Sequence, residues 1–377
     1  MNDGSNGARR IVHVASGDLW AGAEAQILAL ASAQREHLGH DVHAILLNDG
    51  TLAERLRDAG IFVTVLPETR LSFPALLNRT RKHLRRLAPD VVHTHRQKEN
   101  LLGALANRLA TGAVCVRTVH GASEHRGVRQ RLQRRLDILI GRFLQQAVVA
   151  VSETLATQLI PSFGAGRVHV VRNGLHLRPY AGARIRQDRS GPFRIGFFGR
   201  LVPVKRVDLL LDAFERLVVE GGVTAELHIV GDGPLRPELE ARRDRSRAAA
   251  WMRFHGHLDD PRAAMETMDC VVLCSDHEGT PMTMLEAMAL GVPLVVHAVG
   301  GMHETLAPAN AAELVDRHDA IGYADAFRRL AGSPERRAQL SDRAWQQLLQ
   351  EHELQQCAER YDRVYTAGSA GRRLPQC

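Results

Sequence analysis

Short runs of Val, Ile, Leu and Ala alternate along this chain with longer stretches in which apolar residues recur every three or four positions. In the first half the short runs cover 11–16, 41–47, 61–67, 90–95, 113–120, 146–152 and 167–171. They are nearly continuous in apolar residues, which fits strands of a parallel sheet covered on both faces. Stretches between them, such as GAEAQILALASAQREHLGH and FPALLNRTRKHLRRLAP, carry the period of amphipathic helices. Strand–helix alternation of this kind predicts right-handed crossovers and a doubly wound layer.

The segment 176–191, HLRPYAGARIRQDRSG, breaks the rhythm and reads as a linker. The alternation restarts with runs at 193–200, 225–231, 253–257, 268–275, 293–299 and 312–315, and from 319 onward the pattern is helical. The expectation is an α/β chain of two Rossmann-like domains. They span 1–178 and 192–350, with a final helical segment over 351–377. Ligands of such sheets bind beyond the carboxyl ends of the strands, so the loops after each strand are where chemistry is sought.

Composition narrows the picture. The chain has 377 residues, enough for two domains, and 45% hydrophobic and 24% charged residues suit a globular protein. Its net charge is +7, almost all from arginine; Lys82, Lys98 and Lys205 are its lysines. A basic surface serves phosphorylated ligands, anionic lipid or nucleic acid. Aromatic content of 5% and the lack of a recognised motif argue against nucleic acid. Five scattered cysteines point to a reducing compartment, and Cys270 and Cys274 in DCVVLCS read as core rather than as a metal pair. The polar start MNDGSNGARR lacks the apolar stretch of a signal peptide, and no window of about 18 apolar residues suggests a membrane span. A cytoplasmic location is expected.

The strongest candidate chemistry follows DCVVLCSD. The segment HEGTPMTMLEAMALGVP holds Glu278 and Glu286, eight positions apart. Thr280 suits an N-cap and Pro281 the first helical position, followed by Met282, so a helix is expected over 281–290, ending at Gly291. Its first amides would hold a diphosphate. Glu286, about 9 Å along the axis, would reach the ribose, whereas Glu278 faces the reacting side. On a bland view these are two glutamates on a solvated helix. The second signal is GFFGRLVPVKRVDLLLDAF, where Arg200 and Lys205 flank a short loop after Gly199. A lysine at a helix N-terminus conflicts with the dipole unless an anion is bound there; a solvated basic turn is the alternative. Arg206 reads as a surface residue. Third, Gly231 and Gly233 in VGDGPLRPEL permit a tight turn and shape the wall of a base pocket, with backbone of 255–258 nearby; a lone Gly-x-Gly is weak evidence by itself.

In the first half, Gly22 opens a helix after the first strand, where backbone approaches a phosphate or sugar, and Glu24 is explained by the helix dipole. His120, in TVHG, ends a strand and suits a contact to a sugar. His95, in HTHR, is a second cleft candidate or else structural, and RNGLH over 172–176 reads as a structural turn. The stretch 126–143 combines Arg126, Arg129, Arg131, Arg134, Arg135 and Arg142 with an apolar face of Leu132, Leu136, Leu139 and Phe143. Two readings compete: an anionic-membrane contact or a core helix with a solvated arginine face.

Taken together, the E-x7-E run from Glu278 to Glu286, Gly199-Arg200 with Lys205, and Gly231-x-Gly-Pro resemble the retaining glycosyltransferases of family 4, which have the GT-B fold. The resemblance covers nearly the whole chain. It implies two doubly wound domains facing across a cleft, with the last helix, around Tyr361 to Tyr365, crossing back onto the first domain, a nucleoside diphosphate sugar donor with uridine as the default base, and no metal or other cofactor. It implies that Arg200 and Lys205 bind the diphosphate, Glu286 the ribose, and Glu278 and His120 the transferred sugar. Gly22 matches one glycine of the family's first-loop pair, where Ala21 replaces the other. His176 stands where the family carries an acid after its Asn-Gly turn. A glycan or lipid-linked acceptor of cell-surface polysaccharide synthesis is the expectation. A sugar-nucleotide epimerase or hydrolase, which would turn over donor alone, and a non-catalytic nucleotide-sugar-binding subunit are the competing readings.

Overall fold

A computed structural model describes residues 7–17, 20–121, 128–180 and 191–370; of 128–132 and 370 it gives the backbone path only. Arg126, Cys377 and most of the 176–191 linker, residues 181–190, lie outside the described residues, as do the side chains of Arg129, Arg131 and Leu132. The chain forms two compact units, one of residues 1–175 with 353–377 and one of 176–352.

The first unit holds seven parallel strands: β1 (Arg10–Ala15), β2 (Asp41–Leu46), β3 (Phe62–Val65), β4 (Val91–Thr94), β5 (Val114–Val119), β6 (Ala147–Ala150) and β7 (Val168–Val170). Their order in the sheet is β3-β2-β1-β4-β5-β6-β7. The chain therefore winds outward from β1 to one edge, returns to the centre and winds to the other. The switch point lies between β1 and β4, which pair with Ile11 opposite Val91 and Val14 opposite Thr94. Apolar residues fill both faces, as a sheet covered by helices requires.

The helix Leu354–Ala370 belongs to this unit. Leu354, Cys357, Ala358, Tyr361, Val364 and Tyr365 are buried at helical spacing and join the core around Ile11, Val114 and Val149. A parallel bridge between Leu175 and Glu353 fixes its entry.

The second unit repeats the design with six parallel strands: β8 (Phe193–Phe198), β9 (Ala225–Val230), β10 (Met252–Gly256), β11 (Cys270–Leu273), β12 (Leu294–His297) and β13 (Glu313–Val315), in the order β10-β9-β8-β11-β12-β13. Here the switch point lies between β8 and β11. Cys270 and Cys274 are buried in its core, and Cys115, Cys270, Cys274 and Cys357 are all free thiols. The helices Ala320–Ala331 and Pro334–Glu351 start on side-chain caps, Asp319 to the amide of Gly322 and Ser333 to that of Arg336. Among the described residues no helix is long and apolar enough to cross a membrane.

Candidate functional site

The residues singled out in the second unit follow the two strands on either side of its switch point. After β8 come Gly199, Arg200 and Lys205; after β11 come Glu278 and the helix Met282–Ala289. Lys205 lies in a short 3-10 turn, Pro203–Lys205, closed by Arg206 in the left-handed conformation at φ +50°. Its Nζ forms an ion pair with Oε1 of Glu278. Ser275 Oγ donates to the same carboxylate oxygen at 2.7 Å. The amide of Asp276 donates to the carbonyl of Val204 at 2.9 Å, so the two loops are tied by backbone as well. The Thr283 hydroxyl, in the first turn of the helix, donates to the carbonyl of Phe198 at 3.3 Å. Arg200 is exposed and forms no ion pair among the described residues.

Two local expectations need correction. Thr280 is not the cap of the helix: Pro281 occupies that position in extended backbone at ψ 135°, and the helix begins at Met282 without a side-chain cap. Proline brings no amide hydrogen, and its carbonyl accepts from Met284 at 3.1 Å, so the chain enters the helix one residue later. Arg206 is half-buried rather than a plain surface residue; it bridges Asp208 and Asp276, the latter at 3.2 Å.

Gly231 and Gly233 are explained by a close approach of backbones. Gly231 has φ +135°, and a Cβ there would stand 1.9 Å from the carbonyl oxygen of Gly199; one at Gly233 would stand 2.5 Å from that of Leu201. The loop after β9 thus presses directly on the loop that carries Arg200. The amide of Gly231 donates to the carbonyl of Gly256 at 2.7 Å, so part of the backbone over 255–258 is engaged within the fold.

Glu286 sits in a different setting from Glu278. Burial raises its carboxyl from 4.5 to about 7; Arg262 opposes the shift and Asp260 adds to it. Tyr180 completes this cluster, with the Arg262 guanidinium 6.0 Å from its ring, and burial together with the charge of Glu286 pushes its hydroxyl upward. Tyr180 and Arg262 carry no sequence signal; the former lies in a polar, proline-containing stretch that reads as linker.

The raised carboxyl has a consequence for stability. Between about 4.5 and 7 the unfolded chain loses this proton while the folded chain keeps it, so the stabilising contribution of Glu286 declines as pH rises and is gone above about 7. Glu286→Gln, which is neutral at every pH, is expected to raise the melting temperature of the ligand-free protein at pH 8 but not at pH 5. Equal shifts at both pH values would show that Glu286 does not hold its proton.

In the first unit, Gly22 is the exposed first residue of the helix Gly22–Glu36. Glu24 does more than answer the dipole, being buried and ion-paired with Arg96. His120 follows β5 directly and lines a cavity of about 440 Å³ together with Ala23, His95, Arg96 and Thr118. Burial, aided by the charge of Arg96, lowers its imidazole to about 4. His93 and His95 are both buried inside this unit.

The sequence of the second unit matches the family described as Glycosyl transferases group 1 over residues 192–333, and the first matches Glycosyltransferase Family 4 over 20–178. Glycogen synthase of Mycobacterium tuberculosis is 30% identical over 300 residues, which cover 76% of this chain and 71% of that protein. The chain belongs to the group 1 glycosyltransferases. Another relative is the UDP-Gal:alpha-D-GlcNAc-diphosphoundecaprenol alpha-1,3-galactosyltransferase of Escherichia coli, 26% identical over 58% of this chain and 60% of that protein. Among solved structures, Anabaena HepE in complex with UDP-glucose superposes with a TM-score of 0.83 at 20% identity, covering 95% of this chain and 100% of that one. That likeness establishes the GT-B fold for this glycosyltransferase.

Proposed function

We propose that the chain transfers a sugar from a UDP-sugar, with retention of anomeric configuration and without a metal, to a glycan or lipid-linked acceptor of cell-surface polysaccharide synthesis. The observation that carries this reading is the meeting of Lys205 and Glu278 at the carboxyl ends of β8 and β11, where a doubly wound sheet receives a phosphorylated ligand. Support for the donor comes from the HepE complex with UDP-glucose, and for a lipid-linked acceptor from the name of the Escherichia coli relative.

In this proposal Lys205 and Arg200 neutralise the diphosphate, joined by the amides that open the helix at Met282. In the free protein Lys205 is held by Glu278, so donor entry moves the lysine charge onto phosphate and releases the carboxylate toward the sugar. The bond between the anomeric carbon and the diphosphate oxygen breaks, and its electron pair stays on that oxygen. The acceptor hydroxyl forms the new bond on the same face, and its proton passes to the departing oxygen. Glu286 accepts from the ribose hydroxyls as a carboxylate. Thr280, Pro281 and Met282 shape the diphosphate end of the pocket, Gly231 and Gly233 its base end, and Gly22 offers backbone to the donor. His120 contacts the transferred sugar as a neutral imidazole.

The direct test is thermal stabilisation by a panel of nucleotide sugars, followed by product analysis with the best donor. A product with the anomeric configuration of the donor is expected. Consumption of donor without any acceptor would replace the proposal with a hydrolase or epimerase, and an inverted product would remove retention.

The acceptor proposal has its own support. On the helix Val128–Leu144, Leu136, Leu139 and Phe143 are 47%, 50% and 77% exposed, with Arg134, Arg135 and Arg142 also exposed. Apolar side chains that turn outward among arginines suit the surface of an anionic membrane. The proposal therefore includes a cytoplasmic protein that rests on the inner face of the plasma membrane. Leu139→Ser/Phe143→Ser is expected to lower binding to phosphatidylglycerol vesicles at least tenfold and to leave donor binding intact. Equal vesicle binding by the variant would exclude this helix as the contact.

A further inference from the structure

The first unit contains a continuous chain of buried imidazoles that ends at His120. His13 Nε2 lies 2.8 Å from Gln34 Oε1, and His13 Nδ1 lies 2.9 Å from His95 Nε2. His95 Nδ1 in turn lies 3.3 Å from His120 Nε2. The remaining nitrogen, His120 Nδ1, is buried without a hydrogen-bond partner. His13 and His95 are 0% and 3% exposed, so water does not intervene as a general partner.

The direction of every proton in this chain follows from its anchor. Gln34 Oε1 accepts only, so His13 carries its proton on Nε2 and leaves Nδ1 bare. His95 must then donate from Nε2, which leaves its own Nδ1 bare, and His120 must donate from Nε2 as well. A second chain agrees with this orientation of Gln34: its amide nitrogen donates to the Tyr365 hydroxyl at 2.9 Å, and that hydroxyl donates to His93 Nδ1 at 2.8 Å. His93 then donates from Nε2 to Thr118 Oγ1 at 2.8 Å, and Thr118 donates to the Tyr361 hydroxyl at 3.0 Å. Both chains close with every imidazole neutral, which burial favours in each ring and the charge of Arg96 favours further at His95 and His120.

We propose that His13 and His95, anchored by Gln34, are positioning residues that hold His120 in the tautomer protonated on Nε2, so that its Nδ1 accepts a hydrogen bond from a hydroxyl of the bound sugar. An acceptor without a partner in the fold, on a side chain that lines the cavity of about 440 Å³, is met by an arriving hydroxyl. The selectivity that follows is for a ligand that donates at this point; a deoxy sugar or one carrying an ether oxygen there binds less well. The inference rests on the reading of His120 as a contact to the transferred sugar.

The test uses the full protein labelled with ¹⁵N in its histidines. Long-range proton–nitrogen correlation spectra at pH 7, with His120 assigned from the His120→Gln variant, are expected to show His120 protonated on Nε2 and bare on Nδ1. His95→Phe keeps a ring but cannot relay, so His120 is expected to populate both tautomers and kcat/KM to fall roughly tenfold, the worth of one hydrogen bond. His95→Gln, which can donate and accept, is expected to restore most of that loss. If His95→Phe does not fold, His13→Phe interrupts the same chain one step further from His120 and is expected to give the same mixture of tautomers. A proton on Nδ1 of His120 in the unaltered protein would overturn the proposal, since it means the chain runs with Gln34 reversed. So would an unchanged tautomer in the phenylalanine variants, or a stoichiometric metal on His13, His93 and His95, whose ligand atoms lie within 4.8 Å of one another. The spectra report on the tautomer whether or not sugar transfer is found; loss of donor binding in His120→Ala tests the sugar contact separately.

Discussion

Lys205→Ala lowers kcat/KM by about 2–4 kcal/mol in transition-state terms, a loss of roughly 30- to 1,000-fold. In the proposed donor complex the ammonium takes up charge on the departing diphosphate. Its present partner shows what else the substitution does. Glu278 is 14% exposed at its side chain and is held by Lys205 and the Ser275 hydroxyl, so removing the lysine leaves a carboxylate facing the diphosphate site with one fewer donor. Repulsion between that carboxylate and the donor adds to the loss. The double variant Lys205→Ala/Glu278→Gln separates the two effects. Donor affinity, measured by calorimetry, is expected to recover in part, whereas turnover is expected to stay low, since the proposal also places Glu278 beside the sugar. A Lys205→Ala enzyme with near-normal kcat/KM would remove the diphosphate from this position.

Gly231→Ala is expected to destabilise the second unit by more than about 3 kcal/mol, since both backbone conformation and space are against it. A side chain is strained at φ +135°, and its first carbon would overlap the Gly199 carbonyl oxygen. The neighbouring bonds transmit the damage: Leu201 donates to the carbonyl of Asp232 at 2.9 Å, and Leu235 to that of Leu201 at 3.1 Å. The loop carrying Arg200 can accommodate the methyl group only by leaving this frame. Urea unfolding should show a lower midpoint, and any protein that remains folded should bind donor weakly. An unchanged midpoint together with unchanged donor affinity would show that the two loops are not in this contact.

These two sites differ in how far sequence reveals them. Lys205, Glu278 and Glu286 stand out in the sequence because a doubly wound pattern directs attention to the loops after strands, and the structure brings the first two of them together. The start of the helix at Met282 was missed by one residue, because proline fits both the cap and the first turn and its ψ decides between them. The glycines signalled a turn, but which carbonyls they face is a matter of tertiary packing. The imidazole chain was hidden for a stronger reason: His13 and His95 are 82 positions apart, and only the pairing of β1 with β4 brings their strands side by side. Tyr180 gave no signal because its neighbours in sequence are polar and its partners, Arg262 and Glu286, are distant in the chain. Helical spacing on 128–144 identified an apolar stripe, yet spacing alone cannot tell whether a stripe turns inward or outward; here Phe143 turns outward.

The return of the last helix to the first unit bears on the order in which a ribosome can finish the molecule. Tyr361 and Tyr365, with their neighbours on the last helix, complete a core whose remaining members, from Ile11 to Val171, emerge in the first half of synthesis. The early strands must therefore wait, with that part of the interior incomplete, while the entire second unit is translated and closes on itself. A released chain truncated before residue 354 keeps every residue of the second unit, whereas its first unit lacks the helix that completes its core.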